Sequence, residues 1–340
     1  MTCHASAPAF FALSESEELA AAVRQEAELP PAGLEERRFE GGEFKLRPLE
    51  SVRGRTAFVF QSLAGTQDTP VSERFVRLLF LLNCLRDAGA VQRVALVPYL
   101  AFARKDRRTQ LRDPVNTRYV AQLLEASGAD RLIALDVHNP AALDNAFRIP
   151  VDHLTALPIM VDHFATRFSN GNLAVASPDV GGIKRVQVFR ELLQNRLGRK
   201  IELAFIEKRR TQGVVSVGAV VGDTAGRTVI VLDDLCATGG TLLRAAEACR
   251  RSGAAAVHAV VTHVPLVAGL EALLAAKDLA SVVVTDSIAT LAQLKATSDA
   301  AASKLVTLSV APLYGQAVKR ILAGKPLAPL LHRWPVPFEN

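Results

Sequence analysis

The chain has 340 residues, a length better suited to two domains than to one, and 49% of them are hydrophobic against 22% charged, which excludes a disordered chain. A formal net charge of +6 does not demand nucleic acid as a partner and suits phosphorylated metabolites equally well. The four cysteines (Cys3, Cys84, Cys236, Cys249) form no CxxC and no metal-ligand spacing, so a reduced, cytoplasmic compartment is expected.

In chain order, short apolar runs alternate with amphipathic stretches. "TAFVFQ" (56–61) precedes the helical pattern "SERFVRLLFLLNCLRDAG" (72–89). "RVALVPY" (93–99) precedes "TRYVAQLLEASG" (117–128), and "RLIALDV" (131–137) follows. The second half repeats the theme with "NLAVAS" (172–177), "IELAFIE" (201–207), "TVIVLDD" (228–234) and "VHAVVTH" (257–263). Strand–helix alternation of this kind predicts an α/β fold with mostly parallel sheets flanked by helices. The uncharged run from Ser252 to Leu270 approaches a membrane span in length. Its two histidines, proline and two glycines make it a buried strand plus a turn, so no membrane partner is expected. The N-terminus has no basic flank followed by an apolar core, and no secretory signal is expected there.

The two halves resemble each other. "GRTAFVFQSLAGT" (54–66) parallels "GRTVIVLDDLCAT" (226–238), and "DAGAVQRVALVPY" (87–99) parallels "RSGAAAVHAVVTHVP" (251–265). The second pairing is offset by eight fewer residues, a difference that a longer helix in the first half absorbs. The expectation is two similar domains, at residues 1–157 and 158–325, with a tail at 326–340. The copies differ in one respect: the first carries Gln61-Ser62 where the second carries Asp233-Asp234, so the chemistry is expected mainly in the second.

In an open parallel sheet, ligands bind beyond the carboxyl ends of the strands. Asp233 and Asp234 follow four buried aliphatics at such an end, and Ala237, Thr238, Gly239, Gly240 and Thr241 form the turn into the next helix. Backbone N–H groups at a helix start and two glycines suit a phosphate, and the threonines add hydroxyl donors. Carboxylates beside a phosphate repel it unless they face another part of the ligand, such as sugar hydroxyls or a Mg²⁺ on them. No Gly-Lys-Ser/Thr follows, so this is not a Walker A loop.

"VIVLDDLCATGGTL" (229–242) resembles the phosphoribosyl-pyrophosphate loop of type I phosphoribosyltransferases and of ribose-phosphate diphosphokinases. "RFEGGEFKLRPLESVRGR", "PYLAFARKDRR", "LRDPVNTRYVAQLLEASGADRLIALDVHNP", "IPVDHL", "ASPDVGGIKRV", "EKRR" and "SVAPLYGQAVKRI" resemble the diphosphokinases, in that family's order, across roughly residues 10–325. The resemblance implies two phosphoribosyltransferase-type domains and transfer of the diphosphoryl group of ATP to O1 of ribose 5-phosphate. It implies Mg²⁺ as cofactor and a homo-oligomer, dimer or hexamer. By the same resemblance, Lys208 and Arg210 stabilise the transferring group, Asp233 and Asp234 hold ribose hydroxyls, and residues 237–241 hold the 5-phosphate. His138 and Asp179 are implied on the metal. Phe39, Glu43, Arg104, Lys105 and His138 are implied on the nucleotide, the first two from a neighbouring subunit, with Asp106 ordering its loop.

Three positions depart from the family's pattern, all on the nucleotide side. Gly41 stands where an acidic or amide residue is familiar, Lys105 replaces a glutamine, and Thr109 replaces a common acidic residue. Lys105 is open to two uses, an extra phosphate or an acidic residue. Arg53 and Arg112 match arginines that other members use for regulation. Two further readings stand beside the enzyme: a non-catalytic homologue that regulates a true synthetase, and a phosphoribosyltransferase.

Overall fold

The computed structural model describes residues 7–66, 68–207, 209–211, 214–216, 218–288 and 303–331. Strand β1 (Ala9–Ala12) and helix α1 (Glu17–Ala27) open the chain and lead to the antiparallel hairpin β2 (Leu34–Arg38) and β3 (Phe44–Pro48). β4 (Thr56–Phe60), α2 (Val71–Asp87), β5 (Gln92–Val97), α3 (Asn116–Ala126) and β6 (Arg131–Leu135) alternate as the patterning predicts. A short helix α4 (Pro140–Ala146) and strand β7 (Val151–Leu154) follow. These strands form a sheet of order β1-β4-β5-β6-β7, parallel throughout.

The second sheet follows helix α5 (Leu157–Arg167). It begins with β8 (Leu173–Ser177), α6 (Ile183–Leu197) and β9 (Glu202–Ile206). A small hairpin, β10 (Arg209–Thr211) and β11 (Val214–Ser216), precedes the edge strand β12 (Val220–Val221). Then come β13 (Thr228–Leu235), α7 (Gly240–Arg251), β14 (Ala256–His263), α8 (Val267–Ala275), β15 (Ser281–Thr285) and β16 (Leu305–Leu308). The order is β12-β9-β8-β13-β14-β15-β16, with only the β12 edge antiparallel.

The two sheets share a plan. In each, the first strand pairs in parallel with the strand of the repeated segment, β1 with β4 and β8 with β13, and later strands add beyond it in sequence order. Helix α2 has 17 residues and its counterpart α7 has 12, so the first helix is the longer one. Both faces of the central strands are covered, so β4 from Ala57 and β13 from Val229 to Leu232 read as unbroken apolar runs; Val229 to Val231 and Ala57 to Phe60 are fully buried. The segment Ser252–Leu270 holds β14 and the start of α8, a buried strand and a turn as its histidines and proline require. Among the described residues, no helix is long and apolar enough to cross a membrane.

The chain divides into two compact units. One contains the residues up to Thr155 with Ser287 and the segment from Val310; the other contains Ala156–Asp286 and the segment up to Ser309. The sequence reading carried the second domain through residue 325. Helix α9 (Ala311–Leu322) instead packs on α1, where a Cβ at Gly315 would lie 2.3 Å from the Glu26 Cβ, and so falls in the first unit. Glycine is what allows the two helices to approach so closely.

Candidate functional site

β13 pairs with β8 only from Thr228 to Val231, but with β14 as far as Leu235. Beyond Val231 it therefore runs on with one side open. This is also where the strand order reverses, since β8 leads outward to β9 and β13 leads the other way to β14. Such a switch point opens a crevice beyond the carboxyl ends of the strands. The turn after β8 carries Asp179, and the last residues of β13 carry Asp233 and Asp234.

Asp234 is 4% exposed. Its Oδ1 accepts a hydrogen bond from Arg185 Nη1 at 2.7 Å, and its backbone N–H donates to Asp233 Oδ1 at 2.9 Å. Asp233 keeps part of its surface open. Its pKa is raised well above the ordinary carboxylate value, first because protein replaces water around it and then because Asp234 lies beside it, with Arg185 partly offsetting both. A ligand that brings positive charge or hydroxyl donors relieves that crowding.

The loop that follows is braced from beneath. Cys236 is buried and its N–H donates to the His263 carbonyl at 2.8 Å. Gly239 has φ +80°, left-handed geometry that glycine adopts without strain, and starts α7 with no side-chain cap. Helix α8 presses on the loop at Gly269, where a Cβ would lie 2.2 Å from the Ala237 carbonyl oxygen. Thr238 is exposed and Thr241 half-buried, and neither hydroxyl bonds to protein among the described residues. The guanidinium of Arg244 folds back over the helix start, with Nη1 3.2 Å from where a Cβ at Gly240 would sit. It makes no hydrogen bond or ion pair among the described residues. Uncapped N–H groups, two open hydroxyls and a cation converge there, an arrangement that attracts an anion.

Asp179 forms its own turn. Its Oδ1 accepts from the Gly182 N–H at 3.2 Å, and Ser177 Oγ donates to its carbonyl at 2.5 Å. A Cβ at Gly182 would meet Ser177 Oγ at 2.7 Å, so glycine is required for the tightness of the turn. Among the described residues no three His, Cys, Asp or Glu side chains gather as a metal cage. Magnesium commonly takes one or two carboxylates and fills its other positions with water and substrate phosphates, and the donors here fit that mode. Lys208 lies outside the described residues. The backbone of Arg210 is in β10, paired with Val215 of β11.

The nucleotide-side candidates occupy the first unit. Arg104 is exposed, with no ion pair among the described residues. Lys105 is engaged with an acidic residue: its Nζ donates to Asp113 Oδ2 at 2.5 Å and to Thr109 Oγ1 at 3.0 Å. The same Asp113 oxygen accepts from the Thr109 and Gln110 N–H groups, each at 2.9 Å. These partners hold the Asp113 carboxyl well below its usual range, Lys105 foremost. Lys105 and Thr109 thus close a loop. Asn139 ties that loop to the end of β6, donating to Asp106 Oδ2 at 2.5 Å while its own side chain caps α4. His138, exposed, sits beside that tie. His153 Nε2 accepts the neighbouring Val137 N–H at 2.8 Å, which anchors the segment. Phe39 and Glu43 close the tip of the β2–β3 hairpin through Phe39 N–H to Glu43 O at 2.7 Å, around Gly41 and Gly42, both with positive φ. The Arg37 guanidinium lies 4.9 Å from the Phe39 ring centre.

Sequence reasoning passed over Arg185, Arg244 and Gly269. A signal for Arg185 was present: it is the third residue of α6, where the helix dipole disfavours a cation unless an acid pairs with it. Gly269 carried none, because its role depends on where α8 packs.

Similarity to known proteins runs along nearly the whole chain. Residues 9–128 match the pattern of the N-terminal domain of ribose phosphate pyrophosphokinase, and residues 208–332 match that of the phosphoribosyl synthetase-associated domain. Ribose-phosphate pyrophosphokinase 1 of Streptococcus pneumoniae is 34% identical over 94% of this chain and 95% of its own length. The ribose-phosphate pyrophosphokinase of Bacillus caldolyticus is 36% identical over 94% of this chain and 96% of its own. The crystal structure of phosphoribosylpyrophosphate synthetase from Mycobacterium smegmatis superposes with a TM-score of 0.82 at 30% identity, covering 93% of this chain and 99% of that one.

Proposed function

The chain belongs to the ribose-phosphate pyrophosphokinase family, and on that footing we propose that it transfers the β,γ-diphosphoryl group of ATP to O1 of ribose 5-phosphate. The O1 oxygen attacks the β-phosphorus and releases its proton to solvent, the bond from that phosphorus to the α–β bridging oxygen breaks, and AMP leaves. The observation that carries this reading is the open end of β13, where two carboxylates adjoin an uncapped helix start with free threonine hydroxyls. Asp233 and Asp234 face the ribose hydroxyls, and residues 237–241 hold the 5-phosphate, with Arg244 adding charge. That arrangement suits a sugar phosphate because each end of the ligand meets groups of opposite character.

The first domain supplies the nucleotide side: Arg104 at the phosphates, Phe39 and Glu43 at the base, and His138 between. Lys208 and Arg210 bring positive charge to the transferring group, where charge builds on phosphate oxygens and a covalent nucleophile is not needed. Asp179 and His138 are each candidates to hold Mg²⁺, which would neutralise phosphate charge when bound. Lys105, engaged by Asp113, acts as a loop latch. The enzyme works in the cytoplasm as a homo-oligomer, a dimer or hexamer.

The test is an assay of AMP and phosphoribosyl pyrophosphate formation from ATP, ribose 5-phosphate and Mg²⁺. Absence of both at millimolar substrates would sink the proposal. Activity appearing only with an added synthetase subunit would support a regulatory homologue, and pyrophosphate release from a nucleobase would support a phosphoribosyltransferase.

A further inference from the structure

Arg185 reaches across the switch point from α6 to β13. β8 stops pairing with β13 at Ala176 opposite Val231, so among the described residues the strand's last residues have no ladder partner on that side. The guanidinium bridges the gap, with Nη1 2.7 Å from Asp234 Oδ1. Both side chains are largely buried, 17% and 6% exposed. Asp234 is thereby held at two points: its carboxylate by Arg185, and its N–H by Asp233 Oδ1 at 2.9 Å. Neighbouring carboxylates repel, and without the guanidinium the pair would turn apart or take up a proton. A cation in the first turn of a helix opposes the helix dipole, a cost that pairing with Asp234 offsets.

We propose that Arg185 is a positioning residue: it fixes Asp234, and through the Asp234 backbone it aims the Asp233 carboxylate at the ribose hydroxyls without touching the sugar. This rests on the ribose 5-phosphate reading above. Removing the outer partners that orient metal-ligating residues typically costs about 10–100-fold in affinity or activity, and a carboxylate oriented toward sugar hydroxyls is expected to respond on the same order.

The experiment compares wild type with Arg185→Ala and Arg185→Lys, measuring kcat, both KM values, ribose 5-phosphate binding by calorimetry and the melting temperature. Arg185→Ala is expected to raise KM and Kd for ribose 5-phosphate about tenfold or more while KM for ATP stays within about twofold. Arg185→Lys, which keeps the charge, is expected to recover part of the loss. A folded Arg185→Ala with unchanged ribose 5-phosphate affinity overturns the inference, as does a fall in kcat alone. If Arg185→Ala does not fold, Arg185→Lys carries the test, and an unchanged KM for ribose 5-phosphate overturns it. A wild-type protein that neither binds ribose 5-phosphate nor forms product defeats the functional reading itself, a result separable from all of these.

Discussion

The carboxyl ends of β4 in the first unit and of β13 in the second start from similar strand–turn–helix segments and end differently. In the first, β1 lies beside β4, and the residues past the strand ends are Ser16, Gln61 and Ser62. Ser16 Oγ donates to Gln61 Oε1 at 3.0 Å and accepts the Ser62 N–H at 2.9 Å. Ser62 Oγ donates to the Ser287 carbonyl at 2.8 Å. Gln61 is fully buried and Ser62 nearly so. The crevice is filled by its own chain, and a Cβ at Gly65 would lie 2.7 Å from the Val71 nitrogen, so the turn closes onto α2. In the second, Arg185 engages Asp234, while Asp233 stays partly open and the hydroxyls of Thr238 and Thr241 make no hydrogen bond among the described residues. Polar groups that pair internally make core; a surplus of them at a strand end makes a site.

Four substitutions test that contrast, from the largest expected effect to the smallest. Asp234→Ala removes one partner of a largely buried guanidinium and should destabilise the protein by about 3 kcal/mol, because a buried charge that loses a hydrogen-bonded counter-charge is costly. Chemical denaturation measures it, together with loss of ribose 5-phosphate binding. A variant as stable as wild type would show that Asp234 is not the main support of Arg185.

Ser62→Asp places second-unit chemistry into the first. A carboxylate cannot donate to the Ser287 carbonyl and would be buried, so a cost of about 2–3 kcal/mol is expected with no second ribose phosphate bound. Two equivalents of ribose 5-phosphate per chain in calorimetry would refute the view that internal pairing closes the first crevice.

Gly269→Ala tests the brace beneath the loop. Its new Cβ meets backbone rather than a flexible side chain, so the Ala237 carbonyl must move. A loss of about 1–2 kcal/mol in stability is expected, with weaker ribose 5-phosphate binding. Unchanged affinity would mean the loop tolerates displacement.

Gly41→Asn probes the other side of the reaction. Gly41 has φ +84° and open space around it, a conformation asparagine tolerates better than most residues. Wild type, lacking a polar side chain there, is expected to use other nucleoside triphosphates to within about tenfold of ATP, about 1.4 kcal/mol. The asparagine should widen that gap. Initial rates with four triphosphates measure it, and a wild-type preference above about a hundredfold would place adenine recognition elsewhere.

What the sequence by itself determined was local or periodic. Apolar runs of strand length, helical spacing between them and the paired segments at Gly54 and Gly226 gave the parallel sheets and their shared plan. Asp233, Asp234 and the ATGGT turn were legible as a candidate anion-holding strand end because all their chemistry lies within nine consecutive residues. Tertiary structure decided the contacts between distant segments. Arg185 meets Asp234 49 positions away only because β8 and β13 are neighbours. Gly269 matters only because α8 packs on the loop, and α9 joins the first unit because Gly315 fits against α1. Lys105 left two partners open from its sequence position, and the fold of residues 105–113 chose Asp113. The physical reason is the same throughout: periodicity and turn chemistry act within a few residues, while strand order and helix packing are set by burial across the whole unit, which no short stretch of sequence records.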